Sequence, residues 1–159
     1  MKGNDRIIEH LNMLLRDELT AINQYFVHAE MCENWGYEKL HKLIEKRSID
    51  EMRHAEKLIS RILYLEGQPF VSELNQINIG SVMEDQFRND LEAEVHGIAN
   101  YNEGIRLSAE LSDNGTKELL DSIIVQEEKH VDWLEAQLTL IEQVGIQNYL
   151  SAQIAVQKE

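Results

Sequence analysis

The sequence predicts an all-α fold: a four-helix bundle with one long crossover and a short fifth helix at the C-terminus. Three observations carry that expectation. Apolar residues recur at helical spacing along four long stretches. Two of the breaks between those stretches, "ENWGYE" and "SDNGT", are short, whereas the middle one is long. The only proline in 159 residues, Pro69, falls in that long break, and the helix formers Leu, Ile, Ala, Glu and Gln are abundant. The whole chain, 1–159, reads as one domain.

The first helix is expected from Asn4 to Asn34, with the stripe Ile7/Ile8, Leu11, Leu14/Leu15, Glu18, Ile22, Tyr25. That stripe is apolar except at Glu18. The second runs from Tyr37 to Glu66, through Leu40, Leu43/Ile44, Arg47, Glu51, His54/Ala55, Leu58, Ile62 and Leu65, and Gly67 and Pro69 end it. Residues 67–81, "GQPFVSELNQINIGS", have no helical period. A compact domain seldom carries so long a connection without a reason, and a crossover running the length of a bundle supplies one. The third helix spans Val82 to Leu111, with Phe87, Leu91, Glu94, Ile98, Tyr101 and Ile105 in phase. The fourth spans Thr116 to Val144, with Leu120, Ile123/Ile124, Glu127, His130/Val131, Leu134, Leu138 and Ile141. Gly145 interrupts, and "IQNYLSAQIAV" reads as the short fifth helix.

Composition narrows the function. A net charge of −14 argues against a phosphate-binding surface, so nucleic acid is excluded as a partner, while cationic ligands such as metal ions are compatible with it. The single cysteine, Cys32, excludes an intrachain disulfide and any multi-cysteine zinc or iron–sulfur site, which fits a reducing compartment. The N-terminal "MKGNDRIIEHLNMLL" interleaves charges with apolar residues, unlike a signal peptide. No apolar run reaches the roughly 18 residues of a membrane span, so the expected location is cytoplasmic.

The chemistry lies where the stripes are broken. The first hairpin contributes Glu18, then Glu51 and His54; the second contributes Glu94, then Glu127 and His130, and each matching pair is separated by 76 positions. Tyr25 and Tyr101 share the offset. The hairpins therefore read as copies of one unit, each giving a Glu from its first helix and a Glu-x-x-His pair from its second. Asp17, Asp50 and Glu128 are neighbouring acids off the apolar stripe, read as exposed or secondary groups.

A single inward Glu is most simply an ion-paired core residue. Six inward groups at a repeated offset are a different matter. Four carboxylates converging in a bundle core repel one another and lose their hydration, unless protons or cations compensate. Two divalent metals neutralise four carboxylates, and two neutral imidazoles complete the shells. Mixed oxygen and nitrogen donors suit iron, manganese or zinc, and a structural zinc site is normally mononuclear and closed. A Glu and a Glu-x-x-His from each half is the arrangement used by ferritin-like di-iron and di-manganese carboxylate bundles. Alternatives on the same pattern are a di-manganese catalase, an oxygen-activating or peroxide-reducing di-iron enzyme, or a non-catalytic helical assembly whose acids hold structural cations.

With these residues in place the chain resembles the bacterioferritins. The similarity runs through "MKGN", "LNMLLRDELTAINQYFVHAEM", "NWGY", "SIDEMRHAEKLISRILYLEGQP", "INIG" and "EEKHVDWLEAQLTLIEQVGIQNYLSAQI". The resemblance implies a homo-oligomeric, twenty-four-subunit hollow shell built from twofold dimers. It also implies that a di-iron ferroxidase centre in each subunit oxidises Fe²⁺ with O₂ or H₂O₂, and that ferric mineral is stored in the cavity. By the same resemblance Glu18 and Glu94 are terminal ligands, Glu51 and Glu127 bridges, and His54 and His130 the nitrogen ligands. Met52 is turned roughly 100° from Glu51 on the helix, and on its residues alone it reads as an adaptable interface side chain. The resemblance makes it an axial ligand of one b-type haem shared by two subunits, which assists electron transfer for iron release, with a small ferredoxin as reductant.

Some positions depart from the family or stay open. Lys46 stands where several relatives place a histidine that, with the acid at position 50, binds iron on the cavity surface; Asp50 keeps the acid, a secondary iron ligand here without that histidine. Leu58 replaces a tyrosine of some relatives. Tyr25 is an oxidisable ring near the expected centre, and Trp133 lies one turn from His130, where apolar packing explains it equally well. Arg47 is placed to pair either with a ligand carboxylate or with surface acids. His10, His28, His41 and His96 lack partners at ligand spacing and read as surface or packing residues, and Cys32 as a reduced, partly buried thiol.

Overall fold

The computed structural model describes residues 1–154. It contains five helices: α1 (Asp5–Trp35), α2 (Glu38–Tyr64), α3 (Met83–Glu110), α4 (Asn114–Val144) and α5 (Ile146–Ser151). No strand occurs among the described residues. The helices α1 and α2 form one antiparallel hairpin and α3 and α4 the other, and the stretch between α2 and α3 crosses the full length of the bundle, the ferritin-like connection.

Local chemistry sets the helix ends. Asn4 caps α1 by accepting from the Arg6 N–H at 2.8 Å, and Gly36, at φ 87, closes it with the Gly36 and Tyr37 N–H groups returning to Glu33 and Cys32 carbonyls. α4 begins at Asn114, two residues before the expected Thr116, because Asp113 caps it, accepting from the Thr116 N–H at 3.0 Å. Asp113 also receives the Arg61 guanidinium of α2 at 2.9 Å. That guanidinium runs so close to Gly115 that a Cβ there would sit 2.7 Å from Arg61 Nη2, so a glycine in the first turn lets the hairpins dock. α5 stops at Ser151, shorter than expected; the chain turns at 152 and 153, and positions 155 and 156 of the expected helix lie outside the described residues.

One face of α1 explains the long connection. Every fourth residue from 12 to 28 holds it down, as helical spacing demands of neighbours on one face. Asn12 donates to the Gln68 carbonyl and accepts from the Phe70 N–H; Arg16 pairs with Glu73 at 3.7 Å. Thr20 accepts from the Asn75 N–H, Gln24 from the Asn78 N–H, and the His28 Nε2 from the Gly80 N–H at 3.0 Å. Along the crossover the Gln68 carbonyl and the N–H groups of Phe70, Asn75, Asn78 and Gly80 are satisfied by α1 side chains, and the Asn78 and Gly80 carbonyls by Asn89 and Gln86 of α3. Gly80 is required at its end, since a Cβ would lie 2.3 Å from the Gln86 backbone nitrogen.

The core is split in two. Ile7, Leu11, Leu14, Leu58, Ile62 and Leu120 fill one end, and Ala29, Leu40, Ile44, Phe87, Ile141 and Tyr149 the other. Between these apolar plugs lies a layer of buried polar side chains.

Candidate metal centre

That layer is built from all four long helices. α1 brings Glu18, α2 Glu51 and His54, α3 Glu94, and α4 Glu127 and His130, and none of the six is more than 4% exposed. The structure therefore brings together all six side chains that break the stripes. They form two overlapping sets, each with ligand atoms within 4.8 Å of one another: Glu18, Glu51, His54 and Glu127, and Glu51, Glu94, Glu127 and His130. Glu51 and Glu127 belong to both.

Both imidazoles turn Nδ1 inward. His54 Nδ1 is 2.7 Å from Glu127 Oε1 and 3.5 Å from Glu51 Oε2. His130 Nδ1 is 2.8 Å from Glu51 Oε1, 3.3 Å from Glu94 and 3.4 Å from Glu127 Oε2. Their rings are near parallel, 6.4 Å apart. Glu18 Oε2, Glu51 Oε1 and Glu127 Oε2 are buried without a hydrogen bond; His130 Nδ1 approaches the Glu51 atom but out of line to donate. Buried orphan carboxylate oxygens are costly unless a cation takes their lone pairs. The donor set, four carboxylates and two imidazoles at the shared ends of two overlapping sets, fits a pair of divalent ions of the iron or manganese kind.

The tyrosines act across the copies. Tyr25 of α1 donates to Glu94 of α3, and Tyr101 of α3 donates to Glu18 of α1, each at 2.5 Å. Each tyrosine thus orients the carboxylate of the opposite hairpin. Outside the imidazoles, His54 Nε2 meets Gln126 Oε1 at 2.7 Å and His130 Nε2 meets Asp50 Oδ2 at 3.3 Å. Reading the stripes singles out neither the contact made by Tyr101 nor Gln126. Both stand 76 positions from residues noted above, Tyr25 and Asp50, and the repeat is the signal that finds them.

Without metal, burial and mutual repulsion hold protons in the layer. Burial, then the negative charges of Glu18 and Glu94, pushes the Glu51 carboxyl well above the usual range, and burial, then Glu127, does the same to Glu94. Glu127 is raised to about 7 by burial and by the charges of Glu18 and Glu51. Burial opposes ionisation of Glu18 too, but hydrogen bonds with Glu51, His54 and Tyr101 bring it below the usual value. Burial opposes protonation of His130, yet its hydrogen bonds to Glu127 and Glu94 raise it to about 9, and His54 is raised further by Glu127, Glu18 and Glu51. Burial and the facing carboxylates raise both tyrosines.

The other noted residues find plain positions. Met52 points away from the layer and is 42% exposed, next to exposed Ile49 on the same face. Arg47 reaches Asp50 at 4.0 Å and lies 5.4 Å over the Trp133 ring, so it pairs outside the ring of ligands; Lys46 is exposed. Trp133 packs edge-on to Phe87, and Leu58 is fully buried in the apolar plug. His28 is buried against Asp90, 2.9 Å away. His10 meets the Asn100 carbonyl, His41 the Ala29 carbonyl, and His96 is exposed beside Asn100. Cys32 is buried beside Met83, and burial, then the charge of Asp90, raises its thiol to about 12. No helix among the described residues is long and apolar enough to cross a membrane.

Comparison with known proteins gives the family. A family model described as the ferritin-like domain matches residues 8–144. The chain is 42% identical to the bacterioferritin of Rhodobacter capsulatus over 149 residues, 94% of this chain and 92% of that one. It is 41% identical to a bacterial ferritin of Synechocystis sp. over 156 residues, 98% and 100% of the two chains. It is also 42% identical to the bacterioferritin of Mycolicibacterium paratuberculosis over 94% of each. A bundle with the long crossover, a carboxylate and histidine layer at mid-height, and similarity over nearly the full length together place the chain in the ferritin family, where it belongs with the bacterioferritins.

Proposed function

We propose that the polar layer is a ferroxidase centre that oxidises Fe²⁺ for storage. Membership of the ferritin family makes iron storage the general function of the chain. The observation that carries the finer reading is the pair of overlapping ligand sets sharing Glu51 and Glu127, with three buried carboxylate oxygens left unpaired. Two Fe²⁺ ions, as substrate, take Glu18 with His54 and Glu94 with His130, and Glu51 and Glu127 span between them. Two Fe²⁺ surrender two electrons to one O₂, which takes up two protons and leaves as H₂O₂, or to one H₂O₂, which takes up two protons and leaves as two waters. The chain's own part is to desolvate and orient the ions, with Tyr25 and Tyr101 fixing the terminal carboxylates. Tyr25 is also placed to give up a further electron, its proton already directed at Glu94.

Around this centre the reading extends to the assembly. Copies of the chain form a twenty-four-subunit shell from twofold dimers in the cytoplasm, storing ferric mineral, with Asp50 as a secondary iron contact on the inner wall. Met52 supports a haem site between two subunits: its thioether is exposed on a face holding another apolar side chain, and near a twofold axis it meets its own copy. A b-type haem held there would supply one-electron transfer for iron release, with a small ferredoxin as donor.

The test is stopped-flow absorbance of metal-free protein mixed with Fe²⁺ in air. A fast near-ultraviolet ferric phase saturating at two Fe²⁺ per subunit, absent in Glu51→Ala, supports the reading; a single slow phase overturns it. Haem-dependent Soret absorbance should vanish in Met52→Leu while the fast phase persists, and a retained Soret band would remove Met52 as ligand.

A further inference from the structure

We infer that the two metal positions are unequal, the one at His130 binding a divalent ion more tightly than the one at His54, because a carboxylate backs the first imidazole and a neutral amide the second. The inference rests on the dinuclear reading above and deepens it. Inside the layer the two halves match residue for residue: Glu18 and Glu94, Glu51 and Glu127, His54 and His130, each 76 apart. The tyrosines keep the copy, with equal 2.5 Å bonds to the terminal carboxylates. The match fails one bond further out.

Positions 50 and 126 are also 76 apart, but one is Asp and the other Gln. Since both Nδ1 atoms face the layer, each Nε2 carries the outward N–H of a neutral imidazole ready to bind metal. His54 donates that N–H to the Gln126 amide oxygen at 2.7 Å, and His130 donates to the Asp50 carboxylate at 3.3 Å. A carboxylate partner draws the N–H proton and raises the basicity of the far nitrogen, and removing such a partner typically costs roughly 10- to 100-fold in metal affinity.

The shorter distance favours the Gln126 contact and the charge favours the Asp50 contact. Charge decides. An amide dipole turned by a neutral hydrogen bond changes the ring little, and Gln126 is exposed, so water competes for its oxygen. Asp50 is half-buried and adds a full negative charge behind the ring. Arg47, which lies over the Trp133 ring, approaches the same Asp50 Oδ2 that accepts from His130, at 4.0 Å, and helps to hold the carboxylate in place. No second Arg repeats this on the other half, where the position equivalent to Arg47 is Ile123. Asp50 is therefore a positioning residue for His130, acting through the ring on the bound ion.

The experiment loads crystals of the metal-free protein with one Co²⁺ per subunit and reads anomalous density at the cobalt edge, alongside Co²⁺ titrations followed by visible d–d absorption. The density should lie beside His130, with the second step at least about 10-fold weaker. Asp50→Asn, which makes the two halves alike, should divide the density between both positions; Gln126→Asp should do the same from the other side, and covers the case in which the first variant fails to assemble. Equal occupancy in the unaltered protein, preference for His54, or a bias that neither variant moves overturns the inference alone. Failure of Co²⁺ to bind within the six-residue layer overturns the dinuclear reading with it.

Discussion

Loading the centre with two divalent ions should expel about four to five protons per subunit at pH 7. The metal-free layer carries its protons where the structure says burial and like charge put them. Glu51 and Glu94 are raised well above the carboxylate range, and His54 and His130 are raised by their carboxylate partners. Each of those four groups gives up one proton when it ligates a metal, and Glu127, at about 7, gives up about half of one. Glu18, already ionised, gives none. The assay is a pH-stat titration with Co²⁺ or Zn²⁺, which bind without redox chemistry. Raising the pH beyond about 9 should lower the yield, because His130 and Glu127 have then already lost their protons before metal arrives. Glu94→Gln should lower it by about one at pH 7 if the variant still binds both ions. Release of fewer than two protons at pH 7 would refute the reasoning, since the buried carboxylates would then have to be ionised with no cation beside them.

The same protons set the stability of the metal-free protein. His130 is raised from 6.5 to about 9 and Glu127 from 4.5 to about 7, so the folded state holds protons that the unfolded chain has released. Their contribution is full at low pH and is lost as pH rises through about 7 and then about 9. Thermal unfolding of metal-free protein should therefore begin lower at pH 9 than at pH 6, and Zn²⁺ should abolish the difference; a metal-free protein more stable at pH 9 contradicts the signs. His28→Ala leaves the buried Asp90 carboxylate and the Gly80 N–H each short of a partner, and should destabilise by roughly 1–3 kcal/mol. Hydrogen exchange at the Gly80 amide should quicken most, and the double change His28→Leu with Asp90→Leu should recover much of the loss. Asp113→Ala removes the α4 cap at a cost of about 1–2 kcal/mol. Burial opposes ionisation of Asp113, but its bonds to Thr116 and Arg61 hold it below 3.8, so that contribution is present above this pH and should disappear from melting curves as pH falls further.

What the sequence determined by itself is what a single helix can carry. The helical period gives the four long helices and the residues that face inward, and the offset of 76 picks out the six that do not belong among apolar neighbours. The expected ring of Glu18, Glu51, His54, Glu94, Glu127 and His130 is therefore the ring that the fold assembles. The packed structure decided the pairs between helices. Asn12, Arg16, Thr20, Gln24 and His28 are spaced by four in the sequence, yet nothing in that spacing says that they grip a crossover. Asp50 and Gln126 sit one residue before a ligand and so are turned about 100° from it, off the stripe. Only when α2 and α4 lie side by side does each come to stand behind the other helix's histidine. Helical period specifies the direction of a side chain around its own axis; the rotation and axial offset of one helix against the next come from packing, and those decide which atoms meet.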